Sequence, residues 1–163
     1  MRLTLALAYA TEAHLFITDP NQSPFNVGTQ VTLEDFTFDQ VADLNQCYGG
    51  LLTSQNEISR YYELTGGNPY LTQRGLYEMF LNKMGLAAIE TKADHEDGIF
   101  GSHLRSMWFA LERDRDLCDA VRSLLQGQKE PPPLTTGTFY RLRSAGILTG
   151  DSPADARPRS GLY

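Results

Sequence analysis

Thr37–Leu71, TFDQVADLNQCYGGLLTSQNEISRYYELTGGNPYL, decides the fold class, because three helix starts and two helix stops follow one another in it. Thr37-x-x-Gln40 is a capping box, in which a hydroxyl and a side-chain amide satisfy free N–H groups at a helix start. Phe38, Val41 and Leu44 then recur on one helical face, and Gly49-Gly50 ends the helix. Ser54-x-x-Glu57 repeats the start signal and predicts a second helix to about Leu64, stopped by Gly66-Gly67. Pro69 suits the first position of a third helix, where its missing N–H leaves nothing unsatisfied. This third helix is expected to bury Leu71, Leu76, Met79, Phe80 and Met84.

Beyond this block the residues 91–98, Thr91 to Gly98, are polar and read as a linker and domain boundary. Helical patterns return at about 100–112 and 114–126, and Gln126 to Pro133 breaks them. A last helix is expected over about 135–145, closed by Gly146. Ile147-Leu148-Thr149 is then expected to pair with Ser160-Gly161-Leu162-Tyr163 around a loop at 150–158. Three helices followed by a two-stranded flap is the layout of a winged helix. Before the block, Leu3 to Ala10 is a short apolar run that reads as a buried strand. A secretory signal usually needs about 15–30 residues, so this run is too short for one. Residues 18–30 are rich in turn formers, and Val31 to Leu33 reads as a short extended piece. The expected class is mainly α (α+β): a helical bundle, then a winged-helix domain, with one strand at the N-terminus. With no sheet neighbour, that strand has open edges and is expected to promote self-association.

Composition narrows the function. The chain has 163 residues, of which 41% are hydrophobic and 21% charged, enough to build a core. Its net charge of −6 argues against coating nucleic acid or an anionic membrane with the whole surface. The balance is −8 over residues 1–130 and +2 over residues 131–163, a basic tail on an acidic body. Cys47 and Cys118 belong to no Cys-x-x-Cys pair and read as reduced thiols of a cytoplasmic protein. No stretch approaches the roughly 18 apolar residues of a membrane span.

Candidate chemistry is sparse. His14, His95 and His103 show no metal-ligand spacing, and Asp94–Asp97 lacks the alternation and closing glutamate of a calcium loop. No Gly-x-Ser-x-Gly elbow occurs, and the adjacent Ser102-His103 is poor geometry for a nucleophile and its base. No Gly-x-x-x-x-Gly-Lys-Ser/Thr phosphate loop occurs either. Gly66-Gly67-Asn68-Pro69 allows close approach of a ligand, but reads first as a tight turn between helices. Arg141, Arg143, Arg157 and Arg159 are candidate contacts to DNA or to a protein partner. In an acidic chain the protein-packing reading is preferred, with DNA binding weak or absent.

An ordered set of segments carries a resemblance. Thr11-Glu12 after an apolar strand, Ser23-Pro24-Phe25-Asn26-Val27-Gly28, Leu33-Glu34-Asp35-Phe36 and Gly66-Gly67-Asn68-Pro69-Tyr70-Leu71 come first. Phe100-Gly101-Ser102-His103-Leu104, Tyr140 to Gly146 and Arg157-Pro158-Arg159 follow. Together they resemble the C-terminal half of the bacterial AAA-like P-loop ATPases, relatives of the signalling ATPases and initiator-type AAA+ proteins that are often fused to effector or sensor domains. The resemblance implies a remnant of the nucleotide-binding core at 1–35, a helical lid at 36–93 and a winged helix at 98–163. It places Thr11 as a sensor of the γ-phosphate, and Gly66, Gly67 and Pro69 as the Gly-x-Pro element that touches the nucleotide base. The family's phosphate loop and acidic metal-binding strand are not in these 163 residues. The expectation is therefore a portion with no catalytic residue, no metal site and no cofactor of its own. ATP and Mg²⁺ would enter only when a P-loop half is supplied. The expected partners are that half or a fused effector or sensor domain, with no membrane association.

Overall fold

Thr37 opens the first helix as its residue types predict. Its hydroxyl accepts from the Gln40 N–H at 3.3 Å while Gln40 Oε1 accepts from the Thr37 N–H at 2.8 Å. The computed structural model describes residues 29, 31, 33–125 and 134–163. The expected strand Leu3–Ala10 and Thr11 lie outside them.

Among the described residues there are seven α-helices and one short hairpin. The helices are α1 (Phe38–Cys47), α2 (Gln55–Thr65), α3 (Pro69–Asn82), α4 (Leu86–Lys92), α5 (Gly101–Glu112), α6 (Arg115–Leu125) and α7 (Thr136–Ser144). The hairpin pairs β1 (Leu148–Thr149) with β2 (Arg157–Pro158) in antiparallel register, Leu148 opposite Pro158 and Thr149 opposite Arg157. The chain is thus mainly helical, with a small two-stranded sheet. No helix among the described residues is long and apolar enough to cross a membrane.

Local chemistry explains the helix ends. The Ser54 hydroxyl accepts from the Glu57 N–H at 3.2 Å, but Glu57 reaches past Ser54 to the N–H of Thr53 at 2.7 Å and its hydroxyl at 2.9 Å. These donors hold the Glu57 carboxyl below its ordinary range. Gly66 closes α2 in the left-handed region, and Asn68 caps α3 by accepting from the N–H groups of Tyr70 and Leu71 at 3.0 and 3.1 Å. Between α1 and α2, the buried Asn45 side chain both accepts from the Leu52 N–H (2.9 Å) and donates to the Leu52 carbonyl (3.0 Å). One amide thereby satisfies two backbone groups that burial would otherwise leave unpaired.

Four expectations change. Residues 91–98 are not all linker, because α4 extends through Thr91 and Lys92 and buries Leu86, Ile89 and then Ala93. Phe80 lies on the outward side of α3, 58% exposed, with its ring edge-on to Tyr48, while Leu71, Leu76 and Met79 are fully buried. The partner of 147–149 is 157–158 and not 160–163. Asp155 accepts from the Ser152 N–H and hydroxyl, both at 2.7 Å, and from the Asp151 N–H at 3.0 Å, which tightens the loop and brings the return strand in early. These donors hold the Asp155 carboxyl down to about 2. Val31 and Leu33 belong to no strand and are exposed.

Two apolar cores result. The first gathers Val41, Leu52, Ile58, Tyr61, Leu71, Leu76, Met79, Leu86, Ile89 and Phe100 from α1–α4 and the start of α5. The second gathers Leu111, Leu117, Phe139, Leu142, Ile147 and Leu148 from α5–α7 and the hairpin. Phe100 and Leu104 pack with the first core, Met107 and Leu111 with the second, so the segment 100–111 contributes to both.

Candidate functional site

The glycine pair at the α2–α3 turn is where distant parts of the chain meet. Gly66 (φ 62°) and Gly67 (φ 70°) are both left-handed, a conformation in which a side chain is strained. Space is a second, separate demand. A Cβ on Gly66 would overlap the carbonyl oxygen of Arg159, and one on Gly67 would overlap that of Phe36. The Phe36 N–H donates back to the Gly67 carbonyl at 2.8 Å. The pair is therefore a tight turn into which two other backbone segments of this chain fit.

One of those segments is the C-terminal strap, Arg159 to Tyr163. Its first residue still belongs to the hairpin, since the Arg159 N–H donates to the Ile147 carbonyl at 3.0 Å. Past that point the strap crosses to the end of α2, where the Gly161 N–H donates to the Glu63 carbonyl (2.9 Å) and the Leu162 N–H to the Leu64 carbonyl (3.2 Å). Leu162 is buried in the first core. The Arg159 guanidinium forks onto Asp35, with Nε donating to Oδ2 at 2.8 Å and a second N–H to the other carboxylate oxygen. This charge-assisted pair is half-buried, and Asp35 raises the Arg159 pKa further.

Aromatic rings close the other side. His103 Nε2 lies 2.9 Å from the Tyr163 hydroxyl, and the two rings stack with centroids 6.0 Å apart. Tyr70, at the start of α3, packs its ring 5.6 Å from the same imidazole. Burial, aided by the Arg159 charge, pushes His103 below its ordinary pKa and so favours the neutral imidazole. Burial likewise pushes the Tyr163 hydroxyl up.

The sequence-derived candidates separate in space. Gly66, Gly67, Pro69 and Arg159 come together at this junction. Arg141 lies on α7 in an ion pair with Asp114, whose carboxyl it holds below the usual range. Arg143 and Arg157 are exposed and form no ion pair among the described residues. His95 is exposed, 3.9 Å from both Asp94 and Asp97, and Cys47 and Cys118 are free thiols. Asp35, His103 and Tyr163 escape sequence reasoning as a group. Asp35 and Arg159 are 124 residues apart, and His103 and Tyr163 are 60 apart, so no local pattern announces either pair.

The junction is thus a backbone turn gripped from behind by the strap and by the segment at Phe36. Tyr70 is half-exposed and Pro69 partly exposed beside it. Arg159, whose carbonyl lies against Gly66, has its guanidinium paired with Asp35, and no group of three His, Cys, Asp or Glu side chains that could hold a metal ion is found among the described residues.

Comparison with known proteins gives this junction a context. No curated protein and no solved structure matches the chain. The model of the AAA-like domain family matches residues 1–163, which takes in the glycine turn, the strap and the segments on either side of them. With its whole length covered by that one match, the chain belongs to the AAA-like domain family.

Proposed function

We propose that this chain is the regulatory or interaction portion of an AAA-like ATPase, with residues 36–93 as a helical lid and residues 98–163 as a winged helix. The observation that carries the reading is the family match over the full 163 residues, in a sequence with no Gly-x-x-x-x-Gly-Lys-Ser/Thr loop. A phosphate grip needs backbone N–H groups of such a loop, its lysine, and a hydroxyl and an acid on magnesium. In this reading a P-loop half supplies that grip, either within one longer protein or as a second chain, and the present residues do not hydrolyse ATP by themselves. What the chain adds is Thr11 toward the γ-phosphate and the Gly66-Gly67-Asn68-Pro69 turn toward the base. The turn suits that role because it is fixed by the carbonyls of Arg159 and Phe36 and leaves Pro69 and Tyr70 accessible in part.

Reassembly with the P-loop half tests the proposal. Pro69→Ala and Thr11→Ala are each expected to weaken nucleotide binding or turnover of the reassembled protein by roughly tenfold, about 1.4 kcal/mol. Wild-type behaviour of both variants would remove these residues from the nucleotide site.

The winged helix is assigned to protein contacts. Arg141 and Arg159 are engaged with Asp114 and Asp35, which leaves, of the four candidates, Arg143 and Arg157 as exposed cations with no ion pair among the described residues. Two such arginines on a chain of net charge −6 give a shallow salt dependence and weak duplex binding. A sequence-specific complex of sub-micromolar affinity at physiological salt, abolished by Arg143→Ala and Arg157→Ala, would overturn the assignment.

A further inference from the structure

We propose that the strap Arg159–Tyr163 is a latch that holds the α1–α4 unit and the α6–α7–hairpin unit in one arrangement and, on opening, uncovers Gly66. The latch is independent of the nucleotide reading, since it rests on contacts within this chain alone.

The two units have separate cores, and the buried residues of one are not among those of the other. The continuous helix α5, with Leu104 in the first core and Met107 in the second, joins them, and so does the strap. The strap begins on the hairpin, at the Arg159–Ile147 hydrogen bond, and ends in the first core with Leu162. It therefore spans the seam, and Tyr163 lines a small apolar gap with Val121, Leu124 and Ile147 of the second unit while its hydroxyl meets His103.

The contacts are of a kind that opens as a set. They are one half-buried ion pair, two backbone hydrogen bonds to the last turn of α2, one buried leucine and one ring stack. None of them is part of the two-stranded sheet. The fit at Gly66 makes the latch selective. Only a residue with no Cβ lets the Arg159 carbonyl seat there, so the turn and the strap can close only on each other's backbone. A ligand seated on Gly66 in place of the Arg159 carbonyl competes with the strap and shifts the balance between the two arrangements.

The native cysteines provide the readout. Cys47 lies at the end of α1 and Cys118 on α6, one in each unit. Spin labels on both, in the full chain, are expected to give a narrow distance distribution by pulsed electron resonance. Asp35→Ala removes the ion-pair partner, and Gly66→Ala blocks the seat; in each variant the narrow distribution is expected to be lost while far-ultraviolet circular dichroism keeps its helical signal. The charge-swapped pair Asp35→Arg with Arg159→Asp is expected to restore it. Two controls should leave it narrow: Gly49→Ala, at a left-handed glycine with nothing near, and Arg60→Ala, which breaks an ion pair with Glu90 inside the first unit. Should Gly66→Ala fail to fold, Asp35→Ala decides alone. A folded Asp35→Ala protein with the wild-type distribution overturns the proposal.

Discussion

Gly66→Ala is expected to lower the stability of the chain by about 2–5 kcal/mol. A left-handed alanine costs roughly 1–2 kcal/mol against its normal backbone conformation. Forcing a methyl into a filled space adds roughly 1–3 kcal/mol, and here the obstacle is the backbone carbonyl of Arg159 rather than the end of a flexible side chain. For a chain of this size each kcal/mol corresponds to about 2–4 °C in melting temperature. Gly49→Ala separates the two contributions, because Gly49 is also left-handed (φ 87°) but has no atom within 4 Å of the point where a Cβ would stand. Only the smaller conformational loss is expected there. Equal midpoints for the two variants in urea would show that the Arg159 carbonyl does not rest on Gly66.

Phe139→Ala is expected to cost about 3–5 kcal/mol, the range for emptying a buried aromatic site. Phe139 is fully buried and packs with Leu142, Ile147 and Leu148 in the smaller core, its ring edge-on to Tyr140. A small core has few neighbours able to collapse into the gap. Because the first core draws on none of these residues, the loss should be local. Amide exchange in α6, α7 and the hairpin should accelerate strongly, while α2 and α3 keep their protection. Equal acceleration throughout would show that the two cores unfold as one.

Most of the helices are readable from local chemistry alone. Thr37, Ser54, Pro69 and the glycines at 49–50 and 66–67 each carry a start or stop whose mechanism operates within four residues. Helix α4 is not readable in this way, because its N-cap is Gly85, which makes no side-chain bond, and its seven residues are too few to show a period. The hairpin is legible at its end of the chain, but its second strand is not. Strands of two residues carry no alternation, and the register comes from Asp155 drawing in the loop. At the candidate site the demand for glycine at 66 and 67 is legible, but not its reason. The carbonyls of Arg159 and Phe36 that need the space are backbone atoms, which sequence patterns do not mark. Arg159 stands out in the sequence for its charge and meets Asp35, a partner that only the folded chain brings near.

In the proposed reading, this member of the AAA-like domain family contributes a lid and a regulatory module without a phosphate grip of its own. Calorimetric titration of the isolated 163-residue chain with ATP–Mg²⁺ tests that reading most directly. A base contact at the Gly66–Pro69 turn, unaided by a phosphate loop, is expected to give a millimolar dissociation constant at best, roughly −4 kcal/mol, with no hydrolysis over the same period. A micromolar dissociation constant, or steady release of phosphate, would contradict it and locate a complete nucleotide site within these residues.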